Sequence, residues 1–465
     1  MTPVTPPLSR VGLTAGVALQ CALLLALIAG ALLHHPGLSQ LAAVLSVIWV
    51  ATQWARLIPL ARLFVALAAA GFGLVMVIWP EAAPKLVRAL VQGSGFAGLM
   101  MVLGLLRQPV KRAEITRSAA EYLLGFRPRH RYGALQTGAQ FMALMFNIGI
   151  IAMIGDLTQP VDGRDVRHDP ARRAMVTAAM RGAALVSIWS PMSLGFAIVT
   201  AGLPRIEPME LIATAFAFTL VILILSALWP LLPPEASPPQ DEPPARSPSG
   251  RPTALAQVLG ASALLLALTI TLHHLLDLSF TLAAVVILPV FSLIWLALES
   301  GQVQPFETRL RDALLALADL RSESALFLSA NVIGAALSVA VQASPLWPLL
   351  SGGSFASLPT LLICLFAIPL AAALYLPNTI LVVLAAQLLG PTLLGQSHAL
   401  ALGLTLCIGW ALAICVNPIS AMNLIVGRFC DVPAARVAHR WNIRFVAMTF
   451  ALAALLISLI FYIGG

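Results

Sequence analysis

Residues 187–199 read SIWSPMSLGFAIV, and residues 413–427 read AICVNPISAMNLIVG. In each stretch, a polar residue, a proline, an apolar residue and a serine interrupt a run of small and apolar side chains. A proline inside a helix removes an amide donor and clashes with the carbonyl four residues before it. Each stretch therefore predicts a helix that breaks and then resumes. Two matching breaks in one chain indicate an internal duplication.

A second pair of signals supports the duplication. An apolar helix near the start of each half ends in a double histidine, at His34–His35 and at His273–His274. The halves are separated by a segment in which eight of the twenty residues from 233 to 252 are proline, which is typical of a linker outside the membrane. We therefore predict a first transmembrane repeat at 1–232, a linker at 233–252 and a second transmembrane repeat at 253–465.

Composition places the chain in a membrane. The sequence is 60% hydrophobic and only 10% charged, with a mean hydropathy of +0.93, whereas a soluble domain has about 25% charged residues. The net charge of +8 is explained by basic loops, which orient membrane proteins, so no nucleic-acid partner is expected. We predict a multi-pass protein of the cell inner (cytoplasmic) membrane, with the lipid bilayer as its surroundings.

The predicted fold is an all-α polytopic membrane protein with about 12–14 transmembrane segments in two inverted repeats with broken helices. The stretch 377–395 is interrupted by proline and glycine, and predicts either a re-entrant hairpin or an ordinary helix. The inverted relation rests on charge. Residues 107–133 hold seven basic and two acidic residues, which favours the cytoplasm, while residues 303–323 hold three and four. Five spans are predicted between the two segments, and the first of these is 135–155. Because five is an odd number of crossings, the two segments should lie on opposite sides of the membrane.

The helix breaks are the first candidates for a binding site. In lipid, backbone groups freed by a break must find partners in protein, water or substrate. Half-helix N-termini can bind an anion, and open C-terminal carbonyls can hold a cation. The alternative is that both breaks are packing kinks. The predicted substrate- and ion-binding residues are Ser190, Pro191, Ser193, Asn417, Pro418, Ser420 and Asn423.

Arg181 and Asp156 are candidates of second rank in the first half. A buried arginine is costly in a membrane, so Arg181 could neutralise a substrate carboxylate, pair with Asp156, or reach the interface with its head group. Asp156 ends an apolar stretch, where it is either a proton or sodium site or simply solvated.

Three asparagines complete the second rank. Asn147 and Asn331 are expected at comparable places in the two halves, where they form hydrogen bonds across the repeats or contact a ligand. Asn378 follows a proline, and belongs either to the tip of a gating hairpin or to the first turn of an ordinary helix.

No catalytic residue, metal site or cofactor is predicted. Adjacent histidines point about 100° apart on a helix and seldom share a metal ion, so the double histidines suit interfacial anchoring. The five cysteines lack metal-ligand spacing and suit apolar packing. Sodium ions or protons could serve as coupling ions without a resident cofactor.

The two repeats, a surface helix in each, and the paired polar-proline breaks resemble the ion transporter superfamily. That group includes divalent-anion/sodium symporters, citrate symporters and arsenite exporters. The resemblance implies a site between the two breaks and an elevator-like or rocking cycle. In the divalent-anion symporters each repeat has a Ser-Asn-Thr motif, whereas this chain has SPMS at 190–193 and NPIS at 417–420.

The sequence thus predicts a secondary active transporter that moves a small anionic solute, with proton or sodium coupling. We also consider a homodimer. Two alternatives stay open at this point. One is an integral-membrane enzyme that acts on a lipid-linked substrate, and the other is a non-transporting membrane scaffold that recruits a partner through its Pro-rich linker.

Overall fold

The computed structural model describes residues 10–159, 169–236, 250–298 and 305–463, with the backbone alone for 10–14 and 107–112. The predicted linker lies outside the described residues except at its two ends. The helices are α1 (Arg10–Leu32), α2 (Pro36–Gln53), α3 (Pro59–Ile78), α4 (Ala83–Arg112), α5 (Glu114–Leu124), α6 (Pro128–Phe146), α7 (Gly149–Leu157), α8 (Pro170–Trp189), α9 (Leu194–Gly202), α10 (Pro208–Leu228), α11 (Pro252–Leu276), α12 (Phe280–Leu298), α13 (Phe306–Ala316), α14 (Arg321–Gln342), α15 (Trp347–Ser351), α16 (Leu358–Ala373), α17 (Asn378–Leu389), α18 (Leu393–Ser397), α19 (Ala399–Val416), α20 (Ala421–Cys430), α21 (Ala434–Arg436) and α22 (Ile443–Ile463).

The described chain is an all-α polytopic membrane protein, as predicted. Eleven helical stretches within it are long and apolar enough to cross a membrane. Two further apolar helices are shorter, α16 and α17. The described residues contain no β-strand. A helix satisfies its own backbone hydrogen bonds, so it can cross the bilayer where an open sheet cannot.

The chain forms two compact units, and neither unit coincides with a sequence repeat. Unit 1 comprises 1–110 and 267–340, and unit 2 comprises 111–266 and 341–465. Each unit therefore takes one segment from each predicted repeat. In unit 1, the buried Gln20 amide donates to the carbonyl of Leu317 at 2.9 Å, and the Asn331 amide donates to the carbonyl of Ala89 at 2.6 Å. Such bonds join helices from the two halves.

Unit 2 contains two copies of a five-helix series. When Pro191 is aligned with Pro418, the helices α6, α7, α8, α9 and α10 fall on the regions of α16, α17, α19, α20 and α22. Glycines mark the same contact in both copies. Gly182 on α8 lies against the backbone of α6, and Gly409 on α19 lies against Ile368 on α16. A glycine thus lies at the helix contact in both copies, and the packing against it is closer at Gly182.

The stretch 135–155 is not a single span, contrary to the prediction. It divides into α6 and α7, because Asn147 follows α6 with a φ of 50° and turns the chain. Asparagine tolerates positive φ better than other residues with a side chain. In the second copy, Tyr375 with a φ of 67° lies between α16 and α17. The count of five spans that predicted an inverted relation therefore does not hold, and the inverted relation stays a prediction.

The two charged segments each contain a short helix of equal length. Helix α5 and helix α13 both have 11 residues, and they precede α6 and α14. In the second segment, α13 is followed by a 3-10 turn at Leu317–Leu320.

Candidate functional site: two matched helix breaks

The first break separates α8 from α9 at residues 190–193, as predicted. Pro191 has no amide to donate to the carbonyl of Ser187, four residues before it. The hydroxyl of Ser193 donates to that carbonyl instead, at 3.1 Å. The same hydroxyl oxygen accepts the amide of Phe196 at 3.3 Å and so caps α9. One serine therefore joins the end of one helix to the start of the next.

The second break, between α19 and α20, repeats this arrangement. Pro418 leaves the carbonyl of Ile414 without an amide, and the Ser420 hydroxyl donates to it at 2.9 Å. The Ser420 hydroxyl oxygen then accepts the amide of Asn423 at 3.3 Å. Each of these residues falls on its counterpart in the first break when the two prolines are aligned. Two stretches with different side chains thus fold into the same break.

The first residue of each motif also bonds within its own break. The Ser190 hydroxyl accepts the amide of Met192 at 3.2 Å, and Asn417 Oδ1 accepts the amide of Ile419 at 3.0 Å. These turns are the local bonds that serine and asparagine offer to the backbone. The serine hydroxyls and Asn417 Oδ1 therefore form hydrogen bonds with the backbone of their own break. These bonds stabilise the non-helical turn between the two helices.

The breaks leave backbone amides free at the starts of two helices. Among the described residues, no acceptor receives the amides of Leu194 and Gly195 in α9, or those of Ala421 and Met422 in α20. The first residues of α9 are buried, whereas Ala421 is exposed. Helix N-termini carry partial positive charge and attract anions. The unit thus has two electropositive helix starts in equivalent positions.

The two breaks differ at one position. Asn423 is fully buried in the second break, and its Nδ2 atom lies 2.9–3.1 Å from the carbonyl oxygens of Ile414, Cys415 and Asn417. The equivalent position in the first break is Phe196. Asn423 therefore binds backbone carbonyls that α19 leaves open at its C-terminal end.

A hydrogen-bonded chain connects the second break to helix α8. Asn442 donates from Nδ2 to the carbonyl of Cys415 at 3.1 Å and to Asn423 Oδ1 at 3.4 Å. Asn442 Oδ1 accepts from Arg181 Nε at 3.1 Å. The amide of Asn442 thus lies between a buried cation in the first copy and the helix break in the second copy.

Arg181 is fully buried and is bound by neutral groups. Its Nη1 donates to the Tyr132 hydroxyl at 2.8 Å and to the carbonyl of Pro230, and its Nη2 donates to the carbonyl of Trp441 at 2.6 Å. Its Cζ lies 4.7 Å from the centre of the Phe445 ring. No carboxylate within the described part of the chain forms an ion pair with it. It does not pair with Asp156, and its head group is held inside the protein.

The remaining candidates of second rank lie apart from this chain of bonds. Asp156 is exposed near the end of α7. Asn147 and Asn331 do not occupy comparable places, because Asn147 ends α6 in unit 2 whereas Asn331 is inside α14 in unit 1. Asn378 begins α17, two residues after the Leu376 carbonyl that accepts from Asn417 Nδ2 at 3.2 Å.

Several residues of this region were missed from the sequence. They are Tyr132, Gln136, Gln140, Trp441 and Asn442. The two glutamines carry a readable signal, since they are one helical turn apart in the otherwise small and apolar stretch 133–146. The other three are recognised only when the fold brings them to Arg181.

The double histidines bond to helix ends. The ring of His34 is 3.0 Å from the carbonyl of Leu276, and the ring of His273 bonds to the carbonyl of Leu278, both within unit 1. Over the described ranges, no three His, Cys, Asp or Glu side chains group as metal ligands would.

No protein-family model matches the chain, and no curated protein matches it. Among solved structures, it is similar to the crystal structure of the Alcanivorax borkumensis YdaH transporter, whose report describes an unusual topology. The TM-score is 0.51 and the sequence identity 13%, and the match covers 87% of this chain and 96% of the other. At this identity the likeness concerns the fold, which is that of a polytopic membrane protein.

Proposed function

We propose that this chain is a secondary active transporter that moves a small anionic solute across the cell inner membrane. The observation that carries the proposal is the pair of matched breaks within unit 2, each of which opens a helix start with two unbonded amides. The fold it shares with a protein described as a transporter supports this assignment. Broken helices at equivalent positions of a duplication are how many secondary transporters build their binding sites.

The proposed solute is anionic because the free groups near the breaks are donors. The amides of Gly195 and Ala421 would face its charged end, and the partial charge at each helix start favours an anion. Arg181 adds a buried positive charge to the same unit. It acts through Asn442 and Asn423, since its own donors are occupied.

Protons or sodium ions are the proposed coupling ions. Backbone carbonyls at the end of α8 are the proposed cation ligands, because those of Ile414, Cys415 and Asn417 at the end of α19 already accept from Asn423. Asp156 is the proposed site of the coupling ion in the first half. The proposal also includes inverted repeats, an elevator-like or rocking cycle, membership of the ion transporter superfamily and a homodimer. The enzyme and scaffold alternatives gain no support from the described residues.

The binding site can be tested through one backbone amide. Ala421 is the exposed first residue of α20, and Ser420 before it has a ψ of 140°, which suits a residue that precedes proline. Proline is favoured at the first helical position, so Ala421→Pro should remove the free amide and leave the helix intact. The control Ala421→Gly keeps the amide.

The measurement is the melting temperature of the purified protein with acetate, succinate or sulfate, followed by counterflow in proteoliposomes with the best anion. A ligand that binds the folded state raises the melting temperature. We expect one anion to stabilise the wild type and Ala421→Gly but not Ala421→Pro. Equal stabilisation of all three proteins, or none by any anion, would exclude an anion site at this break.

A further inference from the structure

Helix α6 buries two glutamines whose side chains carry unsatisfied polar atoms. Gln136 and Gln140 are one turn apart and both are fully buried. Gln136 Oε1 accepts from the Ser226 hydroxyl on α10 at 2.8 Å, but its Nε2 atom has no acceptor among the described residues. Neither Oε1 nor Nε2 of Gln140 has a partner within the same ranges. Three buried polar atoms are therefore unsatisfied on one face of a helix.

Such an arrangement is costly. A buried amide that loses its hydrogen bonds to water destabilises the folded state unless another group replaces them. Most buried polar atoms in native proteins have a partner, and those that lack one point to an unseen group or a function. The glutamines therefore call for an explanation that packing does not provide.

The surrounding helices fix the glutamine backbone in place. A Cβ atom built on Gly182 of α8 would lie 2.2 Å from the carbonyl oxygen of Gln136 and 3.0 Å from the amide nitrogen of Gln140. With Pro191 aligned to Pro418, the equivalent positions in α16 are Ile363 and Ala367. Both of these residues are exposed, and the second copy packs α19 on α16 through Gly409 and Ile368 instead, so the helix pairing itself does not require amides.

We propose that Gln136 and Gln140 bind the transported solute, and that this solute is a small carboxylate that also carries a hydroxyl or amine donor. The two Nε2 groups offer four N–H donors, which suits a carboxylate, and Gln140 Oε1 requires one donor in return. The inference rests on the proposed function, because it names the class of solute.

The first test needs no ligand. Gln140→Leu removes an unsatisfied amide and should raise the melting temperature of the full-length protein by about 2 °C or more. The matched control is Gln20→Leu in unit 1, because Gln20 is also buried but donates to the carbonyl of Leu317. That control should lower the melting temperature. A lower melting temperature for Gln140→Leu would overturn the proposal, since it would show that the amide is already satisfied, for example by a buried water.

The second test uses two solutes that differ by one hydroxyl. Lactate should bind the wild type at least tenfold more tightly than propionate, because only lactate can donate to Gln140 Oε1. Gln140→Leu should abolish this preference, and Gln140→Met should behave in the same way. An unchanged preference, or none in the wild type, would overturn the assignment. Loss of the anion response in Ala421→Pro, together with an unchanged lactate preference in Gln140→Leu, would leave the proposed function in place and exclude only this inference.

Discussion

The Ser193 hydroxyl donates at 3.1 Å to the carbonyl of Ser187, which is the carbonyl that Pro191 leaves without an amide. The same relation recurs in the second break between Ser420 and Ile414, at 2.9 Å. In each motif the proline interrupts the helix, and the serine two positions further on donates to the backbone carbonyl that the proline leaves without an amide.

Removal of either hydroxyl should destabilise its break. Ser193→Ala leaves the Ser187 carbonyl without a donor, and Ser420→Ala leaves the Ile414 carbonyl with Asn423 as its one side-chain donor. Both substitutions also remove a helix cap, so each should cost about 1–2 kcal/mol in the free energy of unfolding. Ser193→Thr and Ser420→Thr keep the hydroxyl and should lose much less. Denaturation of the purified variants measures this. An alanine variant as stable as its threonine counterpart would show that the bond contributes nothing.

Restoration of the missing amide should close the break and impair transport. Pro191→Ala or Pro418→Ala returns an amide that competes for the carbonyl of Ser187 or Ile414. We expect stability to be unchanged or higher, while counterflow falls at least tenfold. The control is Pro289→Ala, which removes a proline from the continuous helix α12. Normal transport by both variants with restored amides would mean that the breaks are packing kinks.

Arg181 and Asn442 should be energetically coupled. Arg181→Met leaves the carbonyls of Trp441 and Pro230 without a donor, so the free energy of unfolding should fall by about 2 kcal/mol or more. A double-mutant cycle with Asn442→Leu should give a coupling energy of about 0.5–3 kcal/mol. The exposed Arg205 provides a control, and Arg205→Met should show neither effect. Additive losses for Arg181→Met and Asn442→Leu would contradict the described chain of bonds.

The two equivalent glycines should respond differently to alanine. Gly182→Ala places a Cβ atom 2.2 Å from a backbone oxygen of α6, which should cost about 1–3 kcal/mol or more. Gly409→Ala meets Ile368 at 3.4 Å, an ordinary contact, so it should be neutral or stabilise its helix by up to about 1 kcal/mol. Melting temperatures of the two variants test the closer packing of α6 on α8. Equal effects would contradict it.

The membrane class and both breaks could be predicted from the sequence, because they depend on composition and on the local chemistry of proline. The separation of α6 from α7 could not, since Asn147 lies within an unbroken apolar run and only its φ of 50° reveals the turn. The site was predicted in part. Ser193 and Asn423 were found from their positions in the motifs, but their bonds to backbone were not.

The hydrogen-bond partners of Arg181 show why the remaining contacts of the site could not be predicted from the sequence. Asn442 is 261 residues away along the chain, and Tyr132 is 49 residues away. No local pattern connects them, so only the folded unit shows that a buried charge is held by neutral groups. The sequence alone suggests Asp156 as a partner instead, because it is the acid that ends the preceding apolar stretch.

The division of each unit between both halves of the chain has a consequence for synthesis. Unit 1 cannot complete its internal contacts until residues 267–340 have been made, and unit 2 needs residues up to 465. Contacts between residues so distant in the chain form slowly. The break at 190–193 is therefore synthesised long before the break at 417–420. During that interval, the helices of the first half are in the bilayer without their partners from the second half, and Arg181 lacks its bonds to Trp441 and Asn442. Insertion factors that shield such helices during translation would set the yield of this protein.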